Sequence, residues 1–147
     1  MARREGRTGL PTLPPAVTVH HLAHAVAALT AAARLDQQIA LMSAVAAGSF
    51  TGPGFFAAVI RDARAAVPEG RALAMLDCQG APGRAMAAVH QRAADVIIYT
   101  GSHETLLKLA GIAMEHGITM LDHRPPSLDL ASVADPEAAT HDWLLRR

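Results

Sequence analysis

Asp77-Cys78 is the place in this sequence where residue types most invite chemistry. A carboxylate can take a proton or hold a ribose hydroxyl, and a thiol near a helix start can have its pKa lowered by the positive end of the helix dipole. His123, beside Asp122, adds another titratable group. Asp77, Cys78 and His123 are therefore the candidate catalytic residues, on condition that they share one pocket. Opposing this, free cysteine is among the most buried residue types, and the local signature of cysteine proteases is absent. An aspartate at a strand end also commonly caps the next helix, and adjacent strand residues such as Asp122 and His123 point to opposite faces.

A second group of residues suits an anion. The stretch Ser43 to Gly54 is rich in small residues and runs into a helix, so that Ser43, Thr51, Gly52 and Gly54 could present hydroxyls and main-chain amides to a phosphate or carboxylate. Arg84, after Gly83, could clamp the same kind of group, and Thr100 and Ser102 fall where another strand gives way to a helix. The glycines match neither the phosphate loop, which ends in Gly-Lys-Ser/Thr, nor the dinucleotide fingerprint Gly-x-Gly-x-x-Gly, and a close strand–helix connection explains them equally well. The eight histidines do not make a metal site: His20 and His24 would lie one turn apart, but no His-Glu-x-x-His motif accompanies them. His90, His103 and His116 fall at helix positions where solvation or capping is the default. No metal and no cofactor are expected.

Alternating elements must position these groups. Short apolar runs at Val17 to His20, Ile39 to Ser43, Ala72 to Leu76, Val96 to Tyr99 and Ile118 to Leu121 read as strands, the first also being compatible with a helix start. Helical spacing from Leu22 to Ala33, from Pro53 to Val67, after Pro82 and from Ser102 to His116 fills the gaps, with Gly117 as a stop. Every gap fits one helix and none is a hairpin, which argues for parallel crossovers. The expected fold is a single α/β domain on a parallel sheet of four or five strands. An open doubly wound, flavodoxin-like sheet is preferred over half of a (β/α)₈ barrel, which would leave an unpaired apolar edge. The expected divisions are a flexible leader over residues 1–16, the α/β domain over 17–130, and a tail over 131–147 with a short helix near Trp143. Ligands of such folds gather beyond the carboxyl ends of the strands, which adds His20 and His21 to the rim.

Thirteen cationic residues balance thirteen acidic ones, so the broad basic field used in nucleic-acid binding is missing. No apolar run approaches the roughly 18–20 residues that span a bilayer, and neither nucleic acid nor membrane is an expected partner. One cysteine suggests a reducing cytosol. An apolar share of 51% with no net charge leaves little to hold identical copies apart, so a homodimer or higher assembly is expected.

The segments Ser43-Ala44…Gly52-Pro53-Gly54-Phe55-Phe56, Leu76-Asp77-Cys78…Gly83-Arg84-Ala85-Met86 and Arg124-Pro125-Pro126-Ser127-Leu128-Asp129-Leu130 resemble a family of small bacterial α/β proteins with no established activity. The resemblance spans Val17 to Leu130 and transfers no catalytic residue. It implies that the Arg-Pro-Pro-Ser-Leu-Asp-Leu segment belongs to the domain. The expectation is a non-catalytic cytosolic module that self-associates and binds a small anionic ligand at the strand ends. The alternative is a small lyase or isomerase acting on a phosphorylated or carboxylated metabolite.

Overall fold

The computed structural model describes residues 12–146. The expected leader therefore falls, as far as residue 11, outside the described residues. The chain runs β1 (Ala16–Thr18), α1 (Leu22–Arg34), β2 (Gln38–Met42), α2 (Ala47–Phe50), α3 (Pro53–Ala66), β3 (Arg71–Asp77), α4 (Pro82–His90), β4 (Val96–Ile98), α5 (His103–Glu115), β5 (Thr119–Leu121), β6 (Ser127–Asp129) and α6 (Pro136–Leu145). The apolar runs and helical stripes explain most of these elements. In α3, Phe56, Val59, Ile60 and Ala63 recur on one face and are all buried. The end of α5 shows its stop signal at work: Gly117 takes φ +73°, its N–H donates to Met114 O, and Ile118 N–H donates to Ala113 O.

All six strands are parallel, in the order β5-β4-β3-β2-β1-β6. The parallel α/β class is as read from the sequence. The strand number is one above the expected maximum, and the doubly wound arrangement is not what forms. From β1 to β5 each strand is laid beside its predecessor in the same direction, which under right-handed crossovers keeps every helix on one face. The burial pattern agrees. Val17, Ile39, Leu41, Ala74, Leu76, Ile97 and Met120 face a large core shared with the helices. Their neighbours Ala16, Ala40, Met42, Met75, Val96, Ile98 and Leu121 form a second cluster to which no helix contributes.

The connection from β5 to β6 shows that the sheet is curled. If it were flat, five strand intervals of about 4.8 Å would set β5 and β6 about 24 Å apart. The six residue steps from Leu121 to Ser127 reach no more than about 22 Å, and the chain must also return toward the amino ends of the strands. Only a barrel-like curl brings β6 beside β1, with the helix-free cluster as its packed concave face. The apolar edge that argued against a barrel segment is reduced by this curl. The tail completes the outer layer: α6 lies along α1, with Leu144 buried.

Candidate functional site

Side-chain parity at the carboxyl ends of the strands splits the rim into two regions. On β3, Met75 lies in the concave cluster, so Asp77 points into the mouth of the curl, while Cys78 packs with the helix layer. Asp77 is 1% exposed, and Thr18, on the same concave side of β1, is 2% exposed. Arg124, from the connection after β5, reaches across the mouth to both. Its Nη1 donates to Asp77 Oδ2 at 2.7 Å and to Ser43 O at 3.1 Å, and its Nη2 donates to Thr18 Oγ1 at 3.1 Å. The other Asp77 oxygen accepts Gln79 N–H at 2.8 Å, and Thr18 Oγ1 is 2.7 Å from Ser127 Oγ. The buried carboxylate thus has a cation and a main-chain amide as partners. One guanidinium ties together β1, β2, β3 and the segment leading to β6.

On the helix side of the same rim lies a cavity of about 200 Å³, lined by Val19, His20, His21, Ser43, Ala44, Ala47, Thr51, Phe55, Phe56 and Val59. Two of the longer helices begin at it, beside the single turn α2, which starts at Ala47 on its wall. His21 immediately precedes α1, and Thr51, Gly52 and Phe55 bracket the start of α3. Neither helix has a side-chain cap or an acidic residue in its first turn, so the partial positive charge of both N-termini is left uncompensated. By contrast, Ser102 caps α5 and Asp135 caps α6, each with a glutamate in the first turn. Ser43, 2% exposed, joins the two regions: its Oγ accepts Asp77 N–H, its carbonyl accepts Arg124, and it lines the cavity.

Three histidines gather at the cavity mouth. The His20 Nε2–H donates to Asp129 Oδ1 at 2.7 Å, and that oxygen also accepts Ala131 N–H at 2.9 Å. His24 Nδ1 accepts the His20 main-chain N–H at 3.2 Å, and its ring lies 3.8 Å from that of His21. Burial, reinforced by the nearby His21 and His20, pushes the His24 pKa below its ordinary value. Asp129 is held below the usual carboxylate range: burial acts to raise it, but the Ala131 N–H, His20 and the charge of Arg124 prevail. Among the described residues, no group of three or more His, Cys, Asp and Glu is placed to hold a metal ion.

The candidate residues read from the sequence are therefore only partly brought together. Ser43 and Thr51 line the cavity, and Gly52 and Gly54 flank the start of α3 beside it. Asp77 is next door but committed to Arg124. Cys78 is fully buried against the helices, and burial, with the adjacent Asp77, pushes its thiol up to about 12, so it stays protonated and unreactive. His123 is exposed at the rim with its Nδ1 2.8 Å from Asp122 Oδ1. Asp77, Cys78 and His123 consequently do not share a pocket. Arg84 and Thr100 are exposed, and Ser102 serves as the cap of α5 by accepting Thr105 N–H.

Arg124 and Asp129 are the residues that the sequence reading passed over as functional groups. The available signal was Leu128-Asp129-Leu130, an alternation too short to stand out as a strand. It follows β5 after a connection with no room for a helix, so the crossover pattern that marked the other strands was missing.

No family model matches the chain, and no curated protein matches it. Among solved structures it is similar to that of "a putative fructose-1,6-biphosphate aldolase from Coccidioides immitis", with a TM-score of 0.53 and 20% sequence identity. The similarity covers 74% of this chain and 44% of that one, so the chain spans less than half of the aldolase's length. At that identity the likeness concerns the fold alone.

Proposed function

We propose that this chain binds a small anionic metabolite, phosphorylated or carboxylated, in the cavity at the carboxyl ends of β1 and β2. The observation that carries the reading is the meeting of two uncapped helix N-termini, free of acidic residues, at one cavity. α4 also starts without a cap, but none of its residues lines this space. Val19, Phe56 and Val59 offer an apolar wall for the carbon part of a ligand, while the Ser43 and Thr51 hydroxyls donate to the carbonyls of Ala44 and Ala47. The volume equals that of about seven waters, below the range of drug-sized sites, which favours a compact ligand. The aldolase named above carries a phosphorylated sugar in its description, which puts phosphorylated compounds first among those to test.

Binding without turnover is the better supported form of this reading. The lyase or isomerase alternative drew on Asp77, Cys78 and His123, and each is engaged or buried outside the cavity. A thermal-shift screen of phosphorylated and carboxylated metabolites tests the proposal. A ligand at a hundred times its dissociation constant adds about 2.7 kcal/mol of stability. Ala47→Leu, which pushes a larger side chain into the cavity, should erase the shift while leaving the unliganded melting temperature nearly unchanged. If no compound raises the melting temperature, or the shift survives Ala47→Leu, the cavity is not the binding site.

Self-association has its own support. Leu107 and Met114 stand two turns apart on α5 and are 60% and 75% exposed, beside β5, which is an edge strand. Light scattering of Leu107→Lys/Met114→Lys beside the unaltered chain tests it, with a monomer expected only for the variant.

A further inference from the structure

Rings are scarce in this chain, and they gather at one place. The sequence holds three phenylalanines, one tyrosine and one tryptophan. Phe55 and Phe56 both line the cavity at the ends of β1 and β2, with His20 and His21 among the other lining residues. Phe50 ends α2, next in sequence to the lining residue Thr51. Exposed apolar surface follows the same distribution. Among the described residues seven large apolar side chains are exposed, and four of them, Leu22, Val45, Phe50 and Phe55, line the cavity or adjoin a lining residue in sequence. Phe50 is 83% exposed. Single exposed apolar residues are ordinary, but their concentration around a concavity marks a binding site. Charge is absent as well: residues 43–60 hold no Asp, Glu, Lys or Arg, and none of these lines the cavity.

Size decides what kind of apolar group fits. The cavity holds about 200 Å³, and apolar cavities of about 150 Å³ take up benzene. One ring with a short substituent is therefore of the right size. The walls favour a flat aromatic ring over a saturated one. Val19, Phe56 and Val59 are nearly closed to solvent and belong to the packed core, so they keep their shape when the cavity fills. Phe55 stands one turn before Val59 on α3, and aromatic pairs attract each other beyond the area that they bury. We propose that the cavity selects a single aromatic ring as the carbon part of its ligand, which makes the ligand class a monocyclic aromatic acid. The ring is carried by the lining, and the acid group rests on the binding reading above.

Four probes added to the intact chain separate the two parts. Phenylacetate carries ring and charge, and cyclohexylacetate carries the same charge on a saturated ring that is at least as apolar. Benzyl alcohol carries the ring without charge, and sulfate the charge without a ring. Titration followed by NMR should give phenylacetate about tenfold tighter than cyclohexylacetate or sulfate, because contacts with two phenylalanines add to plain burial. Intermolecular NOEs should run from the ring protons of phenylacetate to the methyl groups of Val19 and Val59. Phenylacetate that binds no tighter than cyclohexylacetate overturns the inference and leaves the anion site standing. Benzyl alcohol that binds as tightly as phenylacetate upholds the ring and removes the anion reading. NOEs confined to side chains away from the cavity, such as Leu107 and Met114, overturn the inference. Failure of all four probes to bind overturns the inference and the anion reading together.

Discussion

The two halves of the rim share Ser43 and differ in almost everything else. In the concave mouth, charge is internally balanced: the half-buried Arg124 guanidinium is bonded to both the Asp77 carboxylate and the Thr18 hydroxyl, which are themselves closed to solvent. In the cavity on the helix side, the Ser43, Thr51 and His20 side chains are bonded within the protein, but the starts of α1 and α3 carry neither a side-chain cap nor an acidic residue, and Val19, Phe56 and Val59 make much of the wall apolar. A group whose bonds are all made inside the protein has nothing left to offer a ligand, however suggestive its type. The contrast assigns the Asp77–Arg124 pair to holding the curl and leaves the histidine-lined cavity as the place proposed for binding. It can be broken by a variant that moves the wrong property.

The largest effect is expected from Arg124→Met. It strands the Asp77 carboxylate in a buried site with only Gln79 N–H as partner, and unpairing a buried charge costs about 3–5 kcal/mol. Urea denaturation at neutral pH should show that loss. An Arg124→Met protein that is as stable as the parent but no longer binds sulfate would exchange the roles of the two regions.

Gly48→Ala comes next. A Cβ at Gly48 would stand 2.5 Å from Cys78 Sγ and 3.3 Å from the Asp77 carbonyl oxygen, and overpacking of this kind costs about 1–3 kcal/mol. Thermal unfolding should register the loss, and Cys78→Ala in the same chain should recover part of it. A thiol this well packed should resist alkylation in the native protein at pH 8 and react only on unfolding. Labelling at the native rate of a free thiol would show that the strand end opens.

What could be read in the sequence was whatever depends on neighbours along the chain. The five strands from β1 to β5, the Ser102 cap and the Gly117 stop are all written in local residue patterns, and they appear within a residue or two of where those patterns put them. The direction of winding is a long-range property: β1 beside β6 follows from the short 122–126 connection, and no apolar periodicity encodes it. The site shows the same division. Ser43, Thr51 and the start of α3 were found because small residues before a helix are a local signal. His20 with Asp129 and Arg124 with Asp77 were missed as pairs because 109 and 47 residues separate their members. Parity, by contrast, was available in advance: successive strand residues must diverge, which already set Cys78 against Asp77.

His24 links the stability of the cavity mouth to pH. Burial lowers its pKa from the ordinary 6.5, so below that value the unfolded chain binds a proton that the folded chain refuses. Stability should therefore decline as pH falls from about 6.5 through the lower folded-state value, and His24→Leu should flatten that decline in urea titrations. A slope unchanged by His24→Leu would place the acid sensitivity in another group.

Gln79→Gly should have the smallest effect, and it tests how the closed region is aimed. Gln79 adopts φ +47° and is exposed, while its N–H donates to the carboxylate of Asp77 two residues earlier. That backbone region suits glycine, and relieving it should gain roughly 0.5–1 kcal/mol, partly offset by the greater freedom of the unfolded chain. The turn touches Asp77 and not the cavity, so sulfate affinity should stay as it was. A gain in stability without a change in affinity would mean that the strained turn serves to fix the Asp77 carboxylate toward Arg124. A loss of affinity would instead mean that the orientation of Asp77 reaches the ligand through Ser43, the one residue common to both regions.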